Sequence, residues 1–332
     1  MIRFDREAPG GGLDAYVQIK NGKAEIVFVI YLALQQPGLN RLPDQPIRDK
    51  LAVIDIRMYD EKGAEAARMR CKVGRPAEGD GGEPDLDGKP GFMAAADKKW
   101  NLTTHTLLIY PHLWNAADAP YLYEVRASVT EDHQITDTLE ILCPIFSMSN
   151  IPQKGFFLNE KPFSLHAVRY HVDENWFQNL EGDLKILKDL GANCICPDRL
   201  PTERSFYAEC LKKGMIVWQL TGDNEHLPVF CGDEKALLNP DRGKQESFYL
   251  YQSRFSRQNV LYICNPEKKP VPGGSTCVTV YSNQKRVALY LDGILHEFKE
   301  SAPVFRFEDV PVKREQTVIS AQAGEQYISV TL

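Results

Sequence analysis

The chain has 332 residues, 43% hydrophobic and 25% charged, with a formal net charge of -6 at pH 7. That length accommodates two or three domains with ample core, and the acidic balance excludes a general nucleic-acid binder, which needs a basic face. No apolar run approaches the roughly 20 residues that cross a bilayer, and Met1 to Glu7 carries no apolar signal segment, so the expectation is a cytoplasmic chain, or an exported one if a native N-terminus precedes Met1.

Residues 1–150 read as all-β. Tyr16 to Ile19, Ala24 to Val29 and Val53 to Tyr59 are short runs rich in β-branched and aromatic residues. Turn signals separate them, Lys20-Asn21-Gly22-Lys23 and Asp60-Glu61-Lys62-Gly63, as hairpin chemistry requires. Thr104 to Ile109 and Leu122 to Thr130 continue the pattern, and strands at this spacing predict an immunoglobulin-like β-sandwich. Residues 74–91, rich in Gly, Pro and acidic groups, have almost nothing to bury and read as a mobile loop within that domain.

Residues 151–257 change character. A strand is predicted over Phe163 to Val168 and a helix over Asn179 to Leu190, with Leu184, Leu187 and Leu190 at helical spacing and Gly191 as the stop. Asn193 to Cys196 makes a second strand, Glu203 to Lys213 a second helix and Met215 to Trp218 a third strand. Strand–helix alternation at this pitch implies parallel pairing with right-handed crossovers, the opening of a (β/α) barrel. The pattern then stops, because Leu220 to Phe248 has room for a loop and one helix but not for the remaining strands. Residues 258–332 return to β, with Asp292-Gly293 between Tyr290-Leu291 and Ile294-Leu295 as a strong two-residue hairpin signal. The predicted fold class is therefore multidomain and mainly β with a central α/β element: immunoglobulin-like sandwich, partial (β/α) barrel, C-terminal sandwich.

Several stretches, in order, resemble glycoside hydrolase family 2, the β-galactosidase-like enzymes. Leu113-Trp114 with Pro120-Tyr121-Leu122-Tyr123 is similar to the signature closing that family's sandwich domain. Lys154 to Phe163 with Leu165-His166 resembles the entry into its first barrel strand, and Asp183 to Asn193 and Phe206 to Trp218 resemble its next two barrel units. Glu246 to Tyr251 looks like its final barrel helix, and Val280 to Asn283 with Leu289 to Gly293 like its downstream β domain. Set against that family the chain is truncated, with no N-terminal jelly roll and about three of eight barrel strands.

The resemblance places an acid/base glutamate after an asparagine at the end of strand four and a nucleophilic glutamate on strand seven, both strands lacking here. A retaining glycosidase needs two carboxyl groups about 5–5.5 Å apart. Asn224-Glu225 mimics the acid/base motif but follows the third strand, and Glu234 and Glu246 offer no partner at that distance. Cys196 and Arg199 stand where the family has a sugar-lining arginine and histidine, and Arg169-Tyr170-His171 keeps only the histidine of its counterpart. Residual ligand contacts are expected from His171, Asp173 and Glu174 past strand one, from Trp176 by stacking, and from Asp198 and Arg199 past strand two, where barrel sites are built. Asp198 and Arg199 also fit a surface ion pair, and His166 fits a satisfied core histidine better than a sugar ligand.

No Gly-rich phosphate loop, HExxH or G-x-S-x-G is present, so neither a cofactor nor catalytic metal is expected. The eight scattered cysteines read as buried thiols, and Cys194-Ile195-Cys196 has no second His/Cys pair to complete a metal site. Three functions remain open: a noncatalytic relative (a pseudoenzyme) binding carbohydrate or a partner, a residual β-galactosidase-like hydrolase, and an inactive structural remnant. A three-stranded piece of barrel has an open parallel edge, which flanking chain must cover or a second copy must complete.

Overall fold

The computed structural model describes residues 1–34, 52–73, 99–173, 176–219, 227–265, 273–300, 303–312 and 317–331. The loop expected over 74–91 lies outside them. The chain divides into two compact units that cut across the three expected segments. One is Met1–Ser164 with Thr202–Gly214, the other Leu165–Pro201 with Met215–Leu332.

The first unit is a sandwich. Strands β1 (Ile2–Phe4), β2 (Leu13–Lys20) and β3 (Lys23–Leu34) form one sheet, and β4 (Ala52–Tyr59), β5 (Glu65–Val73), β6 (Lys99–Ile109), β7 (Leu122–Glu131) and β8 (Gln134–Pro144) follow. Antiparallel β3 carries β1 and β2 on one side and β6 on the other, while the second sheet runs β5-β4-β7-β8. Strict alternation decides which side chains are inside: Ala52, Ile54, Ile56 and Met58 of β4 are buried and meet Ile26, Phe28, Ile30 and Leu32 of β3 in one core. The Asn21-Gly22 turn between β2 and β3 has both residues at positive φ, 52° and 72°, the backbone that matches strand twist in a two-residue hairpin. A small sheet follows, β9 (Met148–Ile151), β10 (Gly155–Leu158) and β11 (Lys161–Pro162).

Trp114, from the signature stretch, is fully buried in this unit and donates its indole N–H to the Leu211 carbonyl at 3.1 Å. It thereby anchors a helix: of the two expected in the barrel-like stretch, α1 (Trp176–Leu190) falls in the second unit and α2 (Arg204–Lys212) in the first. Phe206 and Cys210 are the buried side of α2. Gly214 ends it at φ +73°, where an added Cβ would come within 2.5 Å of the Ala116–Ala117 backbone.

In the second unit, β12 (Ala167–Tyr170), β13 (Cys194–Pro197) and β14 (Ile216–Val217) form the expected three-stranded parallel sheet. Strand one is displaced from its expected position over Phe163 to Val168. The His166 N–H is taken by the Asn193 side chain at 2.8 Å and its carbonyl by the Asn193 N–H at 3.1 Å, so parallel register starts only at Ala167 opposite Cys194. Leu180, Leu184 and Leu187 make α1 amphipathic, their side buried.

The stretch after β14 holds a feature that periodicity does not announce. Residues 228–230 run parallel beside β12 on the side away from β13: the Arg169 N–H bonds the Pro228 carbonyl and the Phe230 N–H bonds the Arg169 carbonyl, both at 2.9 Å. A second layer backs them, with Leu237 and Leu238 N–H donating to Val229 and Phe230 at 2.8 and 2.9 Å. Phe230, Ala236, Leu237 and Leu238 are buried. One edge of the small parallel sheet is thus covered by the same chain, using backbone hydrogen bonds instead of further barrel units.

Helix α3 (Glu246–Phe255) leads into a second sandwich of β15 (Leu261–Ile263), β16 (Ser275–Ser282), β17 (Arg286–Leu291), β18 (Ile294–Glu300), β19 (Val304–Pro311), β20 (Val318–Ala323) and β21 (Gln326–Thr331). Its sheets are β15-β16-β19 and β18-β17-β20-β21, around Val280, Leu289, Phe305, Phe307 and Ile319. Asp292 and Gly293 form the expected hairpin turn at φ 48° and 81°. No helix among the described residues is long and apolar enough to cross a membrane.

Candidate functional site

Parallel strands deliver their successors to one end of the sheet, so the residues after β12 and β13 come together. His171 follows β12 and Asp198 follows β13. Their side chains meet, the Asp198 carboxylate bonding His171 Nδ1. The same carboxylate accepts the backbone N–H groups of Val172 at 3.1 Å and Arg199 at 2.9 Å. Arg199 turns back to donate its Nε–H to the Val172 carbonyl at 2.8 Å. Burial pushes Asp198 upward, but the Val172 N–H, the His171 ring and the Arg199 N–H outweigh it and hold the carboxyl below its usual range. The Asp198 carboxylate and the Arg199 guanidinium therefore form no ion pair with each other: each side chain is spent on tying one strand end to the next.

Asp173 lies beyond Val172, exposed, at the approach to α1, its carbonyl accepting the Trp176 N–H at 3.4 Å. Trp176 is only 9% exposed and stands edge-on to Phe177, ring centroids 5.6 Å apart. With its faces covered it offers no stacking platform, while the neighbouring Phe177 is exposed. Glu174 and Glu225 lie outside the described residues.

His166 behaves as a structural histidine. Its Nδ1 is 3.0 Å from the Gly191 carbonyl and its ring stacks on Phe255 at 4.5 Å and 5°. Glu246 accepts the Asn265 N–H at 2.6 Å at the start of α3. Glu234 is exposed in the loop after Gly232.

Sequence reasoning missed the polar cluster that organises this unit. The Asp183 carboxylate, 1% exposed on α1, accepts two bonds from Arg242, Nε at 2.6 Å and Nη2 at 3.0 Å, and a third from the Tyr170 hydroxyl at 2.8 Å. Burial, with the adjacent carboxylate, drives the Tyr170 phenol far above its ordinary value, so it stays a donor. Asp183 was visible as one polar residue within the apolar stripe of α1, but nothing in the spacing pointed to Arg242. The cluster faces α1. Strand alternation puts Arg169 and Cys196 on the opposite side of the sheet.

Cys194 and Cys196 are both buried, their sulfurs 3.9 Å apart. No group of three or more His, Cys, Asp or Glu with metal-binding geometry occurs among the described residues.

No family model matches the chain. It is 30% identical to a β-glucuronidase of Bacteroides fragilis over 165 residues, 47% of this chain and 24% of that protein. It is 28% identical to the β-galactosidase BoGH2A of Bacteroides ovatus over 130 residues, 37% of this chain and 15% of the other. The chain thus matches a quarter or less of these relatives' length. All of its length superposes on a glycosyl hydrolase family 2 structure from Bacteroides cellulosilyticus, covering 63% of that chain with a TM-score of 0.70 at 15% identity. It also superposes on a Bacteroides uniformis β-glucuronidase, covering 61% of that chain with a TM-score of 0.72 at 12% identity.

Proposed function

We propose that this chain, glycoside hydrolase family 2-like in its sequence and in its fold, is a noncatalytic protein that binds carbohydrate. The observation carrying this reading is the commitment of Asp198. A retaining glycosidase holds two carboxyl groups about 5–5.5 Å apart, one free to protonate and one free to attack, on rigid strand ends. At the end of β13 the carboxylate instead joins His171, Val172 and Arg199. The edge of β12 is likewise occupied by residues 228–230, where a fuller barrel would continue. These features support a scaffold kept for folding and not for turnover. The relatives named as β-glucuronidase and β-galactosidase support β-linked sugars as the ligand class.

The test is hydrolysis of a panel of aryl β-glycosides at high protein concentration, beside calorimetric titration with oligosaccharides. No turnover above buffer together with saturable saccharide binding is expected. Turnover that disappears in Glu225→Gln would overturn the reading and mean that a rebuilt acid/base site operates.

A further inference from the structure

The outer face of the β2–β3–β6 sheet carries a cavity of about 380 Å³, lined by Gln18, Lys20, Asn21, Lys23, Glu25 and Leu107. That volume lies in the range of small-ligand sites, roughly 300–1,000 Å³. Register explains the convergence. Gln18, Glu25 and Leu107 form one cross-strand row and Lys20, Lys23 and Ile109 the next, and residues of adjacent rows two apart share a face.

The second row has an unusual feature: Lys20 and Lys23 stand directly opposite each other. Like charges in that position repel and weaken a hairpin. Neither lysine, nor Glu25, makes an ion pair among the described residues, and the Gln18 and Asn21 carboxamides make no side-chain hydrogen bond among them. Two ammonium groups, two carboxamides and a carboxylate therefore surround one cavity with their bonding capacity unspent, over the apolar floor of Leu107.

Two exposed tyrosines lie on the chain beside the residues that line the cavity. Tyr110, 83% exposed and held at φ 50°, lies against Gly22 so closely that a Cβ there would meet its ring at 2.8 Å. Tyr16, also exposed, stands one row beyond Gln18, opposite Val27. The four residue steps from Tyr16 to Lys20 span about 13 Å of strand, room for a short oligosaccharide.

We propose that this cavity on the first sandwich is the site for a saccharide bearing a carboxylate. Lys20 and Lys23 hold the carboxylate, Gln18, Asn21 and Glu25 take hydroxyl groups, and Leu107, Tyr110 and Tyr16 cover the apolar sugar faces. It rests on the carbohydrate-binding reading above but lies on different residues from the barrel-like strand ends.

The test is calorimetric titration of the whole chain with a tetrasaccharide of alternating glucuronate and N-acetylglucosamine, and with neutral cellotetraose. The double variant Lys20→Gln/Lys23→Gln is expected to bind the acidic tetrasaccharide at least tenfold more weakly, with an equal or higher melting temperature because the repulsion is gone. Tyr110→Ala is expected to weaken it several-fold, and rising salt to weaken wild type but not the double variant. Unchanged affinity in the double variant, or wild-type binding of cellotetraose alone, would overturn this site and leave carbohydrate binding standing. Absence of binding to both saccharides would overturn both.

Discussion

Asp183 and Arg242, 59 residues apart, form a two-pronged ion pair in which the carboxylate is buried and the guanidinium approaches from a turn at φ 62°. The turn is built by Asn239, whose side chain accepts the Gly243 N–H at 2.7 Å and whose carbonyl accepts the Arg242 N–H at 2.9 Å. Through this pair α1 is fastened to the segment that runs beside β12. The planar fork matters, since a lysine cannot make two parallel bonds to one carboxylate.

Arg242→Ala leaves Asp183 buried with Tyr170 as its remaining donor in the cluster. Breaking one side of a buried pair costs about 3 kcal/mol, and that loss is expected in urea unfolding. Arg242→Lys should recover only part of it. Hydrogen exchange at Phe230 and Leu238 should quicken in both variants, while amides of β4 and β7 keep their protection. Equal quickening in the first sandwich would show that the pair acts on the whole chain and not on this segment.

Gly214→Ala is expected to destabilise the first unit by more than about 1 kcal/mol. It combines a positive φ with a Cβ placed 2.5 Å from the Ala116–Ala117 backbone. Gly63→Ala serves as the comparison, at φ +78° but with nothing within 4 Å of its Cβ. Melting temperatures separate the two costs: similar losses would mean that backbone conformation, and not close approach, dominates at Gly214.

Acid stability should depend on Asp55. The Arg68 guanidinium, bonded at 2.8 Å, outweighs burial and with Arg57 holds the Asp55 carboxyl below its usual range. A carboxylate whose folded pKa is depressed contributes stability fully above the ordinary value near 4 and loses it as pH falls through the depressed value. Asp55→Asn should therefore lower stability at pH 6 and flatten the decline below pH 4, measured as denaturant midpoint against pH. A decline as steep as that of wild type would assign the acid limb to other carboxylates.

Burial pushes the thiols of Cys143, Cys210 and Cys264 up to about 12. The thiolate is the reactive form, so these three should label with a disulfide reagent at pH 8 only as fast as the protein opens. Cys71 and Cys277, partly exposed, should label first. Peptide mapping after a short pulse reads the order directly.

What the residues alone determined is whatever depends on neighbours in the chain. Alternation marked the strands of both sandwiches, the Asn21-Gly22 and Asp292-Gly293 pairs marked their hairpins because few other residues accept φ above zero, and Leu184, Leu187 and Gly191 marked the body and end of α1. The likeness to family 2 glycosidases was also legible, since the Leu113-Trp114 and Pro120 to Tyr123 stretches are contiguous in the sequence. Tertiary structure alone decided the rest. The strand-like segment 228–230 is held by two bonds to Arg169 and two from Leu237 and Leu238, too short a run to leave a period. Asp198 read as a partner of Arg199 but bonds His171, because parallel pairing of β12 and β13 brings residues 27 apart to the same sheet end. The Lys20–Lys23 juxtaposition was written in the sequence as a turn, and only the register of three strands, which adds Glu25 and Leu107 beside it, makes it a cavity.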